Sequence, residues 1–144
     1  MLFKIRRARK ADSAEFSKIF FKEFSKHDKA WTRKKSAARI KQALSLHPSW
    51  CFAILLGKEI IGFIVAEDFS FSKGRSVYIG DVAITAQHQR HGYGKKAMKF
   101  LLSEAKRRGR KSVYLNARPK DGALKLYKKL GFKPTGLIHM EKKL

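Results

Sequence analysis

Six residues, Gln89-Arg90-His91-Gly92-Tyr93-Gly94, carry the densest chemistry in this 144-residue chain. Glycines in alternate positions remove the Cβ atoms that would keep a bulky anion off the backbone. Just beyond them Ala97, Met98, Leu101, Leu102 and Ala105 repeat at helical spacing up to Gly109. The first turn of such a helix leaves backbone N–H groups without intrahelical partners, and the helix dipole adds partial positive charge there. The stretch therefore reads as a phosphate cradle, with Lys95 and Lys96 adding formal charge. The run before it, Val77-Tyr78-Ile79-Gly80-Asp81-Val82-Ala83-Ile84, is apolar and β-rich. The loop thus joins a strand to a helix.

Several architectures share such loops. A Walker A loop needs a longer spacer before Gly-Lys and then Ser or Thr. Here Lys96 follows Gly94-Lys95, and the spacing fails. Gly92-Tyr93-Gly94-Lys95-Lys96-Ala97 fits the looser dinucleotide pattern. That pattern also wants an acid about 20 positions on, and after Ser112–Asn116 none occurs until Asp121. Taken alone, the hexapeptide is as well explained by a glycine-rich turn packing a helix on a sheet.

A second segment narrows the choice. Gln89-x-x-Gly92-x-Gly94 resembles the Q/R-x-x-G-x-G/A signature of the GNAT superfamily of acyl-CoA N-acyltransferases. Beyond the helix, Ala123-Leu124-Lys125-Leu126-Tyr127-Lys128-Lys129-Leu130-Gly131-Phe132 resembles that family's A-x-x-L-Y-x-K-L-G-F segment. Two departures stand out. Lys120 occupies the place, seven before Tyr127, where the family often has Asn, with Asn116 nearby at another offset; Ala86 replaces a frequent proline.

The resemblance implies one GNAT-like N-acetyltransferase domain over residues 1–144, with acetyl-CoA as co-substrate and direct attack of an amine on its thioester. It implies Tyr127 as the general acid, and a phenol with a pKa near 10 suits protonation of a leaving thiolate. The competing reading of Tyr127 is a core tyrosine on an amphipathic helix. The backbone of Val82, Ala83 and Ile84 would contact the pantetheine arm and the oxyanion, and Gln89, Arg90, His91, Gly92, Tyr93, Gly94 and Lys95 would hold the pyrophosphate.

Asp81 is the only acid in the Val77–Ile84 strand and resembles the acid some family members place near the amine. Strict alternation puts it on the face of Val77, Ile79 and Ala83, where a lone carboxylate is costly to bury and calls for a purpose or a partner. A structural acid bonded to backbone or lysine explains it equally well. Glu67 and His88 are lesser candidates. Freeing the amine's proton at pH 7 costs about 1 kcal/mol for an α-amine and roughly 4–5 kcal/mol for a lysine. With so few carboxylates in reach, a protein N-terminus or a small amino compound ranks above a polyamine, which would also meet a cationic protein.

Charge is the oddest property, at +23. Residues 50–89 hold Lys58, Lys73 and Arg75 against Glu59, Glu67, Asp68 and Asp81, a net of −1, so the remainder carries +24. Coenzyme phosphates explain a local patch, not this excess. A polyanionic neighbour such as ribosome or nucleic acid, an acidic substrate, or a lysine-rich proteome would each account for it. The rival reading of the whole chain is a basic nucleic-acid- or ribosome-associated module without transferase activity. It would explain the charge but predicts no use for Gln89–Gly94 or Tyr127, and no helix-turn-helix, zinc pattern or aromatic RNA-binding signature occurs.

The elements that must position these residues follow from periodicity. Leu2–Arg6, Trp50–Leu56, Ile60–Glu67, Val77–Ile84, Ser112–Asn116 and a closing strand or hairpin at Thr135–Lys143 read as strands, the second pair joined around Gly57-Lys58. Asp12 with Glu15 suggests a capping box for a helix to about Ser25, and Thr32 a cap for one ending at His47-Pro48. In that second helix Ala37, Ile40 and Leu44 face inward and Arg39 faces water. Pro119-Lys120-Asp121-Gly122 opens a short fourth helix. Residues 26–35 and the loop Phe69–Arg75 would wall the acceptor site, as the resemblance implies. The sum is an α+β domain, a mixed sheet of about six to seven strands with about four helices.

Cys51 precludes an internal disulfide and lies in the apolar run Trp50–Leu56, so a buried structural thiol is expected. No metal-ligand spacing occurs, and no apolar run approaches the ~20 residues that span a bilayer. The expected setting is the cytoplasm, away from membranes, with the oligomeric state open.

Overall fold

The computed structural model describes residues 1–120 and 122–144. In chain order the elements are β1 (Phe3–Arg7), α1 (Ser13–Phe24), α2 (Arg33–Leu46), β2 (Cys51–Leu56), β3 (Glu59–Phe71), β4 (Gly74–Ile84), α3 (Tyr93–Arg107), β5 (Ser112–Leu115) and α4 (Ala123–Lys129). The strands form one sheet in the order β1-β2-β3-β4-β5. The first four pair antiparallel, and β5 pairs parallel to β4 through the α3 crossover.

The sheet has a core on each face. Cys51, Ala53, Leu55, Phe63 and Val65 pack against Phe16, Ile19, Phe20 of α1 and Ile40 of α2. Phe52, Ile54, Ile64, Val77 and Ile79 pack against Ala97, Met98, Leu101 and Ala105 of α3. This is why β2 reads as an unbroken apolar run: both of its faces are covered. Burial raises the Cys51 thiol to about 11, so it stays protonated, as its apolar context suggested.

Strict alternation fails at Gly80. Val65 pairs with Asp81 and Ala66 with Ile79, leaving Gly80 as the extra residue of a β-bulge. Val77, Ile79, Val82 and Ile84 therefore belong to the α3 face, whereas Ala83 belongs to the α1/α2 face. Asp81 bonds to α2, so it does not share a face with Val77 and Ile79 as alternation predicts. A bulge moves every later side chain across the sheet.

Other differences have equally local causes. The carboxylate of Asp12 accepts from Arg6 at 2.8 and 3.0 Å and from the Arg9 backbone at 2.7 Å, so it does not cap α1. Thr32 does cap α2, accepting from the Lys35 amide at 3.1 Å. That helix turns Ser36 inward and leaves Ala37 exposed, because the Ser36 hydroxyl is satisfied by the Thr32 carbonyl at 2.7 Å. Phe69–Arg75 is no loop. β3 and β4 continue through it as a long hairpin, with Phe71 paired to Gly74.

Residues 135–143 form no strand, and among the described residues the sheet has five strands instead of six or seven. Pro134 precedes them, the left-handed Gly136 lies among them, and Leu137, Ile138 and Met140 are exposed. The suggested start of α4 includes residue 121, outside the described residues. Among the described residues no helix is long and apolar enough to cross a membrane, and no group of three or more metal-ligating side chains occurs.

Candidate active site

β4 and β5 stay paired from Ser76–Ser112 to Ile79–Leu115 and then separate. β4 continues to Ile84, still paired with β3 on its other side. From Gly80 to Ile84 the backbone groups facing β5 thus have no strand to bond, an arrangement a folded interior avoids unless a ligand or solvent completes it. Val82 and Ile84 turn their backbone to this gap, whereas Ala83 turns its carbonyl to β3. Gly62 supports it from behind: a Cβ there would overlap the Ala83 carbonyl, so only glycine lets β3 approach so closely.

Below the gap the chain makes a short turn at Ala86–His88 and enters the glycine loop. Gly92, at φ +80°, is the N-cap of α3 and has no side chain to satisfy the first amides of the helix. A Cβ on Gly92 or Gly94 would meet nothing within 4 Å, so the loop opens onto free space. Arg90 is held at φ +64°, a left-handed conformation unusual for a branched cation, and it and Lys95 are exposed at the mouth. Backbone amides, a helix N-terminus and formal positive charge converge there, which is what an anion needs.

Two loop side chains serve the scaffold. The Gln89 amide donates to the Ile84 carbonyl at 2.8 Å and to Glu23 of α1 at 2.9 Å, tying the end of β4 to α1. Tyr93 stacks on Phe3 of β1, centroids 5.3 Å apart, with the Lys96 ammonium 5.1 Å from the Phe3 centroid. His91 folds back onto the Gln89 carbonyl at 2.8 Å, and His88 bonds the Thr85 hydroxyl at 2.9 Å.

Asp81 and Tyr127 lie on opposite faces of the sheet. On the α2 side, Arg39 Nε meets Asp81 Oδ2 at 3.1 Å. A Cβ on Gly80 would lie 3.2 Å from the Arg39 guanidinium, so the glycine of the bulge makes room for it. Burial pushes the Asp81 carboxyl up, and Arg39 opposes that by charge and hydrogen bond. On the α3 side, Tyr127 packs at the edge of the core with its ring 6.0 Å from Phe132. It lines a cavity of about 1250 Å³ together with Leu115, Asn116, Leu124 and Phe132.

Spacing along the chain does not reveal the group on the α2 side. Asn116, the first residue after β5, donates to the Tyr78 hydroxyl at 2.7 Å. Burial first, then the charges of Glu67 and Asp81, push the Tyr78 phenol up, against Arg39 and Asn116. Asn116 holds this hydroxyl at the point where β4 and β5 part, with Glu67 paired across from Tyr78 and the Arg39–Asp81 pair on the same face. Only Asp81 and Glu67 were visible as candidates, since cross-strand pairs leave no periodic signal.

The model of the acetyltransferase (GNAT) family matches residues 13–132. The chain is 38% identical over 89 residues to the uncharacterized N-acetyltransferase CgeE of Bacillus subtilis (strain 168), covering 62% of this chain and 34% of that protein. It is 25% identical over 142 residues to the uncharacterized N-acetyltransferase MJ1207 of Methanocaldococcus jannaschii, covering 94% and 63%. The chain thus spans less than two thirds of the length of either curated relative. Its fold is shared with the ribosomal-protein-alanine N-acetyltransferase of Brucella melitensis biovar Abortus 2308, at a TM-score of 0.79 and 16% identity over 99% of both chains. With the β4/β5 gap, the uncapped helix and the matched 13–132 span in register, the chain belongs to the GNAT acetyltransferase family.

Proposed function

We propose that this chain transfers an acetyl group from acetyl-CoA to a primary amine, a protein N-terminus or a small amino compound, by direct attack on the thioester. The observation that carries the reading is the gap itself, where β4 runs on beyond Ile79 without β5 as a partner and leads down to the uncapped N-terminus of α3. The amides of Val82 and Ile84, on the strand edge that faces the gap, hold the pantetheine arm and meet the oxyanion, while those from Arg90 to Lys95 receive the pyrophosphate. Gln89 positions that loop through Ile84 and Glu23.

The two faces divide the chemistry. The amine enters on the α2 side beside Asp81, whose raised affinity for protons suits it to take one from an ammonium. The departing sulfur leaves on the α3 side, where Tyr127 supplies a proton. The fold shared with a ribosomal-protein-alanine N-acetyltransferase supports a chain N-terminus as acceptor, and the low cost of deprotonating an α-amine points the same way.

Thermal unfolding with and without acetyl-CoA, with NAD as the control, tests the donor. At 100 times its dissociation constant a ligand adds ~2.7 kcal/mol, which raises the midpoint by several degrees in a domain of this size. No rise at saturation would overturn the reading. Weak association with a polyanion such as ribosome or RNA completes the proposal. It is supported by the net charge. Its test is retention on immobilised RNA that falls steeply with salt.

A further inference from the structure

Four aromatic rings lie together on the α2-side face of the β3–β4–β5 sheet, beyond the helices that cover the rest of it. Phe69 is the hub: its ring centroid lies 5.6 Å from Phe71, 6.3 Å from Tyr78 and 5.7 Å from Tyr114. Phe71 and Tyr114 are 5.0 Å apart. None of the four belongs to either core cluster, and Phe71 is 43% exposed. The rings thus pack on one another outside the two cores, and Phe71 leaves apolar surface in water.

That surface adjoins the carboxylates. Tyr78 pairs directly with Tyr114 on one side and with Glu67 on the other. Its hydroxyl accepts from Asn116 where β4 and β5 separate, three positions before Asp81 along β4. In a protein of net charge +23, two of the few acids thus stand at the end of an aromatic floor. An ammonium is drawn to those acids and to ring faces, while a planar or bulky apolar substituent gains area against the rings.

We infer that this face is the acceptor subsite and that it selects primary amines carried on an aromatic or bulky apolar group. The inference rests on the transferase reading above and adds to it what the acceptor looks like beyond its nitrogen. Two sources share this chemistry: a small arylalkyl amine, and a chain whose first residue is aromatic.

The probes are 2-phenylethylamine against ethylamine, and peptides beginning with Phe against peptides beginning with Gly. Steady-state rates with acetyl-CoA give kcat/KM for each, and saturation-transfer NMR reads amine binding without the coenzyme. Ring-bearing acceptors are expected to lead by about tenfold or more, mostly in KM. The amine pair or the peptide pair that shows the larger lead identifies the source. Tyr114→Leu, beside Tyr78 at the end of the patch nearer the gap, and Phe71→Ala, at its far end, are each expected to reduce that lead. Equal kcat/KM for both members of each pair, or a lead that survives Phe71→Ala and Tyr114→Leu alike, would overturn the inference. If acetyl-CoA fails to bind, the transferase reading falls on its own, and the NMR comparison still reports whether the rings take the amine.

Discussion

Arg39 of α2 reaches over the glycine of the β4 bulge to place its Nε 3.1 Å from Asp81 Oδ2, joining a helix and a strand that the chain separates by 42 residues. The pair holds a mostly buried carboxylate beside the gap at which β4 and β5 part. Its direction of titration has a consequence for stability. Asp81 is raised above its unfolded value, so the folded state holds this proton more tightly. Its contribution is fully present below the unfolded value and declines as pH rises from there through the folded value.

Asp81→Asn is therefore expected to leave the fold as stable as before or slightly more so, with an advantage that grows from acid to neutral pH. Transfer is expected to fall by about 10²–10⁴-fold, the usual contribution of a general base. Midpoints measured at pH 4 and pH 7.5 beside acetyl transfer at pH 7.5 check both halves. A variant less stable than the parent at neutral pH, with transfer intact, would make Asp81 a purely structural acid.

Asp12, Asp68 and Glu104 titrate the other way. The Arg6 hydrogen bond holds Asp12 below its ordinary value, Arg110 and Arg75 outweigh burial at Asp68, and Arg107 and Arg108 act on Glu104. Each contributes stability that is present above its unfolded value and lost as pH falls through the folded one. Acid unfolding is thus expected to begin below about pH 4, near the ordinary carboxylate values. Because the Asp12 pair ties β1 to the start of α1, Asp12→Asn should move that midpoint to a higher pH. An unchanged acid midpoint would refute the assignment.

Gly94 separates folding from binding. It lies in the first turn of α3, and a Cβ there meets nothing within 4 Å. Gly94→Ala should stabilise the helix, by up to about 1 kcal/mol. The added methyl projects into the space the pyrophosphate needs, so affinity for acetyl-CoA should drop by about tenfold or more. Gly92→Ala should lose both, since its φ of +80° strains any L side chain. Unfolding midpoints beside titration of acetyl-CoA distinguish the two glycines.

Gln89 makes a sharper comparison. Both of its partners, the Ile84 carbonyl and the Glu23 carboxylate, are acceptors, so both need the amide's N–H groups. Gln89→Ala should lose about 1 kcal/mol and weaken acetyl-CoA binding by loosening the loop. Gln89→Glu should be worse in both respects, because it sets a carboxylate against two acceptors. A Glu variant as good as the parent would mean that the tie is dispensable.

How far the sequence reaches can be judged from these same residues. Periodicity finds α3, because Ala97, Met98, Leu101 and Ala105 all turn out buried at 2% exposure or less. Gln89, Gly92 and Gly94 are found because a turn between strand and helix is a local object. What stays hidden is non-local. The bulge at Gly80 depends on register with β3, and it alone decides which face Asp81 occupies. Arg39 reads as a solvated helix cation until α2 is laid over β4, and Ala37 reads as core until Ser36 satisfies its own hydroxyl. Phe69 and Phe71 read as loop residues because Ser72, Lys73 and Gly74 interrupt the alternation, although the hairpin carries on through them.

Tyr127→Phe tests the α3-side half of the mechanism. The ring packs at the core edge beside Phe132, and phenylalanine keeps that contact, so the midpoint and the acetyl-CoA affinity should change little. If the hydroxyl protonates the departing thiolate, kcat should fall by about 10²–10⁴-fold with KM for acetyl-CoA unchanged. The loss should shrink with an acetyl donor whose leaving group is less basic, such as p-nitrophenyl acetate, because that group departs without a proton. A uniform loss with both donors would assign Tyr127 to positioning. Full activity in the Phe variant would move the proton donor elsewhere.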